Sequence, residues 1–396
     1  MLNYFYWYAI IASVVPILYL MPFSELNTPL NPVLIVLLVL SIIISLALGK
    51  KFNDKFAYKD LKYKKSTTGY LPLVIIAIIA FIEFAIAKDI PLISVTLKHA
   101  SEYKDFPTIP VLHVFSVMMA LYFSTVYGYR AISYKQHRAL NVAAYISINI
   151  IMLLYNMRSF TMISLFILAN IFVAKRRRIN KDEGRRANKI RISLLAIAGA
   201  LLVFGFGCFG NMRHGYDWSN SYYIEKIGLY RQWPNFVPKQ FMWAYSYLTS
   251  PLANLNYNFD NPRNDISIVG AVSQYLPESI TKRMASNKSY TCSLKKHYFT
   301  VSTGYCDSYI NMNVLGIVVF WFITMIFPLI VFRYAENENK REKYFAFISI
   351  YMSCITFMFF GNFFQYGGTA PALWLSFILL IVKTNKKTKE KRLADG

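Results

Sequence analysis

The sequence predicts an all-α, polytopic integral membrane protein with about ten transmembrane helices and one large outer loop. Three observations carry that prediction. Of 396 residues, 56% are hydrophobic and only 16% charged, with a mean hydropathy of +0.35. Apolar runs of about the length that crosses a bilayer recur from end to end. The basic residues gather in alternate intervals between those runs, the pattern that membrane orientation imposes.

The apolar stretches fall at 2–21, 32–48, 71–87, 110–128, 140–156, 160–174, 192–210, 310–332, 344–360 and 369–382. The first opens MLNYFYWYAI, with no basic n-region and no small-residue cleavage site, and reads as a retained span rather than a signal peptide. Lys and Arg number seven in 49–70, three in 129–139, nine in 175–191, four in 333–343 and six from 383 onward, together 29 of the 43. Strict alternation of ten spans puts all five segments on one side, which the positive-inside rule makes cytoplasmic, with both termini. Ten basic residues on the other side lie in 211–309, and long segments cross a membrane largely regardless of charge. The net charge of +23 is therefore mainly an orientation signal, aided by anionic lipid head groups, and not a nucleic-acid footprint. Residues 1–396 are expected to form a single transmembrane domain, with 211–309 as a large outer loop inside it.

Two hairpins are cramped. Only 36 residues separate Arg138 from Lys175, and 39 separate Lys343 from Lys383. Spans of about 15–17 residues reach roughly 23–26 Å, against a hydrocarbon core of about 30 Å. The outer turns are expected at or just below head-group depth, unless the segments are re-entrant. Arg158, in YNMRSFTM (155–162), occupies the first turn and GNFFQYGGTAP (361–371) the second.

Within a predicted span, Glu83 is the only ionisable acid, about one turn from the outer end. A carboxylate there is costly and serves as a base, a proton relay or the partner of an arginine, unless it snorkels or pairs structurally. Arg158, Arg213 (GNMRHG) and Arg231 (YRQW) lie on the outer side, and the guanidinium fork suits phosphate, although any one alone also suits snorkelling to phospholipid. His214, beside Arg213, and Asp217 are candidate acid–base groups. Segment 211–309 holds 12 of the tyrosines and three of the six tryptophans. Trp243, Tyr245 and Tyr247 suit stacking on sugar faces and Asn254 suits hydroxyls; the same composition suits helices lying on a membrane surface.

His99, His113 and His297 show no H-x-x-x-H spacing, and no metal is expected. GFGCFG (205–210) fits G-x-G-x-x-G, but it ends a span, where small residues serve helix packing. No Walker A string is present, and no cofactor is expected. Cys292 and Cys306 share a polar segment and pair if it faces an oxidising compartment; Cys208 and Cys354 read as packing residues.

The spans, the YNMRSF turn and the large outer loop carrying YSYLTSPLANLNY (245–257) resemble the Wzy-type O-antigen polymerases, the oligosaccharide repeat-unit polymerases of bacterial surface-polysaccharide assembly. That resemblance implies the architecture of the C-type membrane glycosyltransferases in the bacterial inner membrane. It implies a metal- and nucleotide-independent glycosyltransferase acting on undecaprenyl-pyrophosphate-linked oligosaccharide in lipopolysaccharide biosynthesis, with a chain-length regulator protein as a further partner. Arg158, and with it Arg213 and Arg231, would handle the lipid pyrophosphate, and Glu83, His214 or Asp217 would take the acceptor proton. The residues around Arg158 depart from the Gly-Ser-Arg of many members. An O-antigen ligase or other lipid-linked-sugar glycosyltransferase is the nearest alternative, and a polysaccharide-unit flippase or transporter is the alternative of another class.

Overall fold

The computed structural model describes residues 2–59, 69–97, 106–179, 185–262, 266–278, 280–281 and 292–382. Its helices are α1 (Tyr4–Tyr19), α2 (Pro32–Lys51), α3 (Leu71–Ala87), α4 (Pro91–Leu97), α5 (Pro110–Ser133), α6 (Arg138–Leu154), α7 (Arg158–Ile179) and α8 (Arg185–Arg213). There follow α9 (Tyr222–Ile227), α10 (Phe241–Asp260), α11 (Ile268–Ser273), α12 (Gly304–Ile326), a 3₁₀ extension over Phe327–Tyr334, α13 (Arg341–Phe357) and α14 (Ala370–Ile381). Among the described residues there is no strand, only an isolated antiparallel bridge between Ser24 and Tyr230. Every apolar stretch predicted from sequence falls on a helix. Among the described residues, four segments are long and apolar enough to cross a membrane: Pro32–Lys51, Pro110–Ser133, Arg158–Arg176 and Gly304–Tyr334. This is the make-up of a membrane protein.

Local chemistry sets the boundaries. The Asn3 side chain accepts from Phe5 N at the start of α1, and Asn31 does the same for Val33 N at the start of α2, leaving fewer orphan donors. Pro32, Pro72, Pro110 and Pro371 sit in first turns, where a missing N–H costs nothing.

Burial then sorts the helices. α13 is buried on every side from Tyr344 to Thr356, enclosed by α1, α5, α7 and α14. α2 instead exposes Val33, Val36, Leu40 and Ile43, and α3 exposes Phe81. Apolar side chains turned outward around an interior that holds Ser45, Ser116, Ser349 and Ser353 fit a lipid solvent, which gives no drive to bury them. Interior tyrosines find partners: Tyr4 Oη donates to Met325 O (2.8 Å) and Tyr351 Oη to Thr324 O (2.7 Å).

The described parts of the basic segments converge at one end of the bundle. Arg130 makes a two-pronged pair with Glu342 (2.8 and 2.7 Å), Lys55 and Lys59 both pair with Glu336, and Lys175 donates to Ile132 O. Residues 60–68, 180–184 and the tail from 383, which complete these segments, lie outside the described residues, as does His99.

At the opposite, far end, part of the predicted outer loop 211–309 packs into the bundle. α10 is a buried helix packed against α1 and α8, with 14 of its 20 residues buried. Its polar residues hid this in the sequence. Asn254 donates to Phe299 O and Val301 O and accepts from Lys295 N; Asn258, one turn on, clasps Ser293 through both N–H and C=O. Asn256, on the other face, donates to Pro29 O and accepts from Asn31 N. These amides close backbone groups of the loops that would otherwise go unpaired in a dry interior. A disulfide joins Cys292 to Cys306 at the start of α12, while Cys208 and Cys354 are free.

The glycines of GFGCFG make the notch in α8 that receives α10. A Cβ on Gly207 would run into the Gln240 carbonyl, and one on Gly210 would lie 2.6 Å from the Trp243 ring, whereas Gly205 faces open space. Gly207→Ala is therefore expected to destabilise the purified protein by about 1–3 kcal/mol, read as a lower unfolding midpoint in detergent, with Gly205→Ala at or above wild type. A maleimide mass tag applied to the denatured, non-reduced protein should add two labels, at Cys208 and Cys354, and four after reduction.

Candidate functional site

Among the described residues, the far end holds one carboxylate with no exposed surface. Glu83, near the end of α3, has 0% exposed surface. Its Oε1 accepts from Ile109 N (3.1 Å), just ahead of α5, and its Oε2 accepts from Tyr155 Oη (2.6 Å), the residue that ends α6. His113 Nδ1 lies 2.9 Å from the same Oε2. Three helices thus share one carboxylate, and the rings of Phe84, Phe106 and His113 surround Tyr155, with centroids 4.6, 6.1 and 5.0 Å away. Burying an unpaired carboxylate costs several kcal/mol or more, so an arrangement with two donors and an imidazole is what makes the position tenable.

The same tyrosine opens the turn that carries Arg158. α6 passes to α7 through Tyr155, Asn156 and Met157, with Asn156 in the left-handed region at φ 60°, which its short side chain tolerates better than most. Asn156 Oδ1 accepts from Arg158 Nε (3.0 Å), and the guanidinium lies over the Phe209 ring of α8, 5.7 Å from its centroid. Arg213 is four residues beyond Phe209, hence one turn along the same face of α8. Phe209, 51% exposed, thus lies beside Arg158 and one helical turn from Arg213.

The second cramped turn borders the first. Ser159 Oγ lies 3.3 Å from Tyr366 Oη. That turn also holds the segment after α11: Asn362 donates to Gln274 O, and Glu278 N donates to Gln365 O, each at 2.9 Å.

His214, next to Arg213, stacks on Tyr223 (3.9 Å, 16°) and on Trp243 (5.4 Å, 11°). Partial burial, and then the Arg213 charge, push its pKa below the ordinary histidine value. Trp243 is buried, and its Nε1 donates to Asn211 Oδ1 (2.7 Å). Tyr245 is buried as well: its hydroxyl accepts from Asn27 and sits on Leu18 O. Tyr247 is 39% exposed and meets Phe206 edge-on, and the amide of Asn254 is fully engaged by loop backbone. Arg231 stands apart from the other two arginines, paired with Glu25 beside the Ser24–Tyr230 bridge. Asp217 is exposed in the loop after α8. The structure thus joins Glu83 and Arg158 through Tyr155, joins Arg158, Arg213 and His214 through α8, and leaves Arg231, Tyr245 and Asn254 in contacts of their own.

Sequence reasoning passed over Tyr155, Phe209 and Tyr366, and noted His113 only for its lack of metal-ligand spacing. The available signal was depth: Glu83 near the end of α3, His113 in the first turns of α5 and Tyr155 at the end of α6 lie at one level of an up-and-down bundle. Among the described residues no group of three His, Cys, Asp or Glu could hold a metal ion. The chain matches no protein-family model, no curated protein and no solved structure at a significant level, so its own geometry has to carry the functional reading.

Removing the Tyr155 hydroxyl leaves Glu83 short of a donor in a dry site. Tyr155→Phe is expected to lower stability by about 1–3 kcal/mol, whereas Tyr366→Phe, losing a long and exposed contact, should stay within about 0.5 kcal/mol of wild type. Unfolding midpoints in detergent compare the two.

Proposed function

We propose that the chain is a Wzy-type polymerase, joining undecaprenyl-pyrophosphate-linked oligosaccharide repeat units into O-antigen or a related surface polysaccharide. In this reading ten spans cross the bacterial inner membrane, the basic end faces the cytoplasm with both termini, and the far end faces the periplasm. The Cys292–Cys306 disulfide agrees with an oxidising compartment there.

The observation that carries the reading is the pair of arginines on the far end. Arg158, at the start of α7, lies over Phe209, and Arg213 is one turn further along the end of α8, which in this reading puts their positive charge where a membrane lipid presents its phosphates. Guanidinium groups bind diphosphate oxygens through paired, charge-assisted hydrogen bonds and stay charged throughout. The diphosphate gains charge as it leaves the anomeric carbon, so donors already in place stabilise the transition state more than the ground state. The donor carries its own leaving group, so the transfer needs no nucleotide. The exposed aromatic faces beyond α8, those of Trp218 and Tyr222, would take the sugars, and a chain-length regulator would act from outside this chain.

A strain lacking the chain should keep lipopolysaccharide core bearing a single repeat unit and lose the ladder of longer forms on a gel. Loss of even the single unit would point instead to a flippase or a ligase. Arg158→Ala should abolish the ladder with the protein still in the membrane, and Arg158→Lys should recover part of it, because an ammonium lacks the paired donor geometry. A ladder of normal length from Arg158→Ala would leave that arginine as a lipid anchor.

A further inference from the structure

Glu83 cannot itself meet a sugar hydroxyl. It has no exposed surface, and three groups close around its two oxygens. The way out of this network is the far side of the imidazole. His113 Nδ1 faces the carboxylate, the His113 side chain keeps 22% of its surface exposed, and Nε2 has no partner among the described residues. A carboxylate that already accepts from Ile109 N and Tyr155 Oη fixes the tautomer of its neighbour: Nδ1 carries the proton and donates, and Nε2 keeps its lone pair. This is the carboxylate–imidazole arrangement that makes a histidine into a general base held in one orientation. Its place is also suited to the task. The imidazole packs edge-on against Tyr155, three residues ahead of Arg158.

We propose that His113 is the general base of the transfer and Glu83 the residue that positions it, an assignment that rests on the polymerase reading. The acceptor hydroxyl oxygen forms its bond to the anomeric carbon of the donor as the carbon–oxygen bond to the diphosphate breaks. That bond's electron pair leaves on the diphosphate oxygen, and the hydroxyl proton passes to His113 Nε2. The imidazolium formed is held by the Glu83 carboxylate until the proton returns to water. His214, stacked between Tyr223 and the Arg213 turn, and Asp217, exposed beyond it, are left outside the step.

The test uses the full chain in nanodiscs, with lipid-linked repeat units extracted from a strain that lacks it. His113→Gln keeps the size and polarity of the site but not the base. It should lower turnover by about 10²–10⁴-fold with KM for the lipid-linked unit little changed. Glu83→Gln should likewise act on kcat rather than KM. Added imidazole should restore part of the turnover of His113→Ala and none to Arg158→Ala. Turnover of His113→Gln within a few-fold of wild type, in a sample where Arg158→Ala is dead, would overturn the base while leaving the polymerase intact. If His113→Gln lost activity only through a lowered unfolding midpoint, and imidazole restored nothing to His113→Ala, the network would be structural. An unaltered ladder in the deletion strain would overturn both readings.

Discussion

A carboxylate that water cannot reach has to be satisfied by protein, and the hydrogen bonds at Glu83 are where three helices of this bundle are fixed to one another. Ile109 N, Tyr155 Oη and His113 Nδ1 come from the lead-in to α5, the end of α6 and the first turns of α5. Sliding any of these helices by one residue, about 1.5 Å, would break a bond that no solvent could replace. The register of α3, α5 and α6 therefore follows from one acidic side chain. So does the position of the turn that presents Arg158, because Tyr155 is both a donor to Glu83 and the first residue of that turn.

The same rule, that backbone and side-chain polar groups must be paired where water is absent, explains α10. Its three asparagines look like a surface feature in the sequence. In the fold they are fasteners, each bonded to the backbone of a loop at the far end. They let loops 26–31 and 292–301 lie against the helices with their N–H and C=O groups engaged, and the Cys292–Cys306 bond ties the second of these to α12. The glycine notch of α8 completes the arrangement by letting α10 approach closely enough for Trp243 to reach Asn211. The string that resembles a dinucleotide fingerprint is thus a packing device.

Electrostatics divides the two ends of the bundle. At the basic end Arg130, Lys55 and Lys59 are matched by Glu342 and Glu336, so the charges there are partly neutralised and hold segments together. At the far end cations are fewer and differently used. Arg231 is paired with Glu25, and Arg158 lies over the Phe209 ring one helical turn from Arg213.

What the sequence by itself determined was the helical class, the positions of the apolar helices and the segregation of basic residues, because each depends on local composition: run length, hydropathy and the spacing of charges. It also located Arg158 in a short turn, since a count of residues between two charged segments limits where the chain can reverse. Only the tertiary structure decided which polar groups meet. Glu83, His113 and Tyr155 lie in three separate helices, and Asn254 and Asn258 answer to a loop some forty residues later, so no periodicity or spacing links them. Likewise the burial of α10 is not legible in the sequence, because asparagine, serine and tyrosine share its buried face with leucine. The physical reason is the same in both cases. In a bundle surrounded by lipid, hydrophobicity says which segments enter, and hydrogen bonding between distant residues says how they are joined.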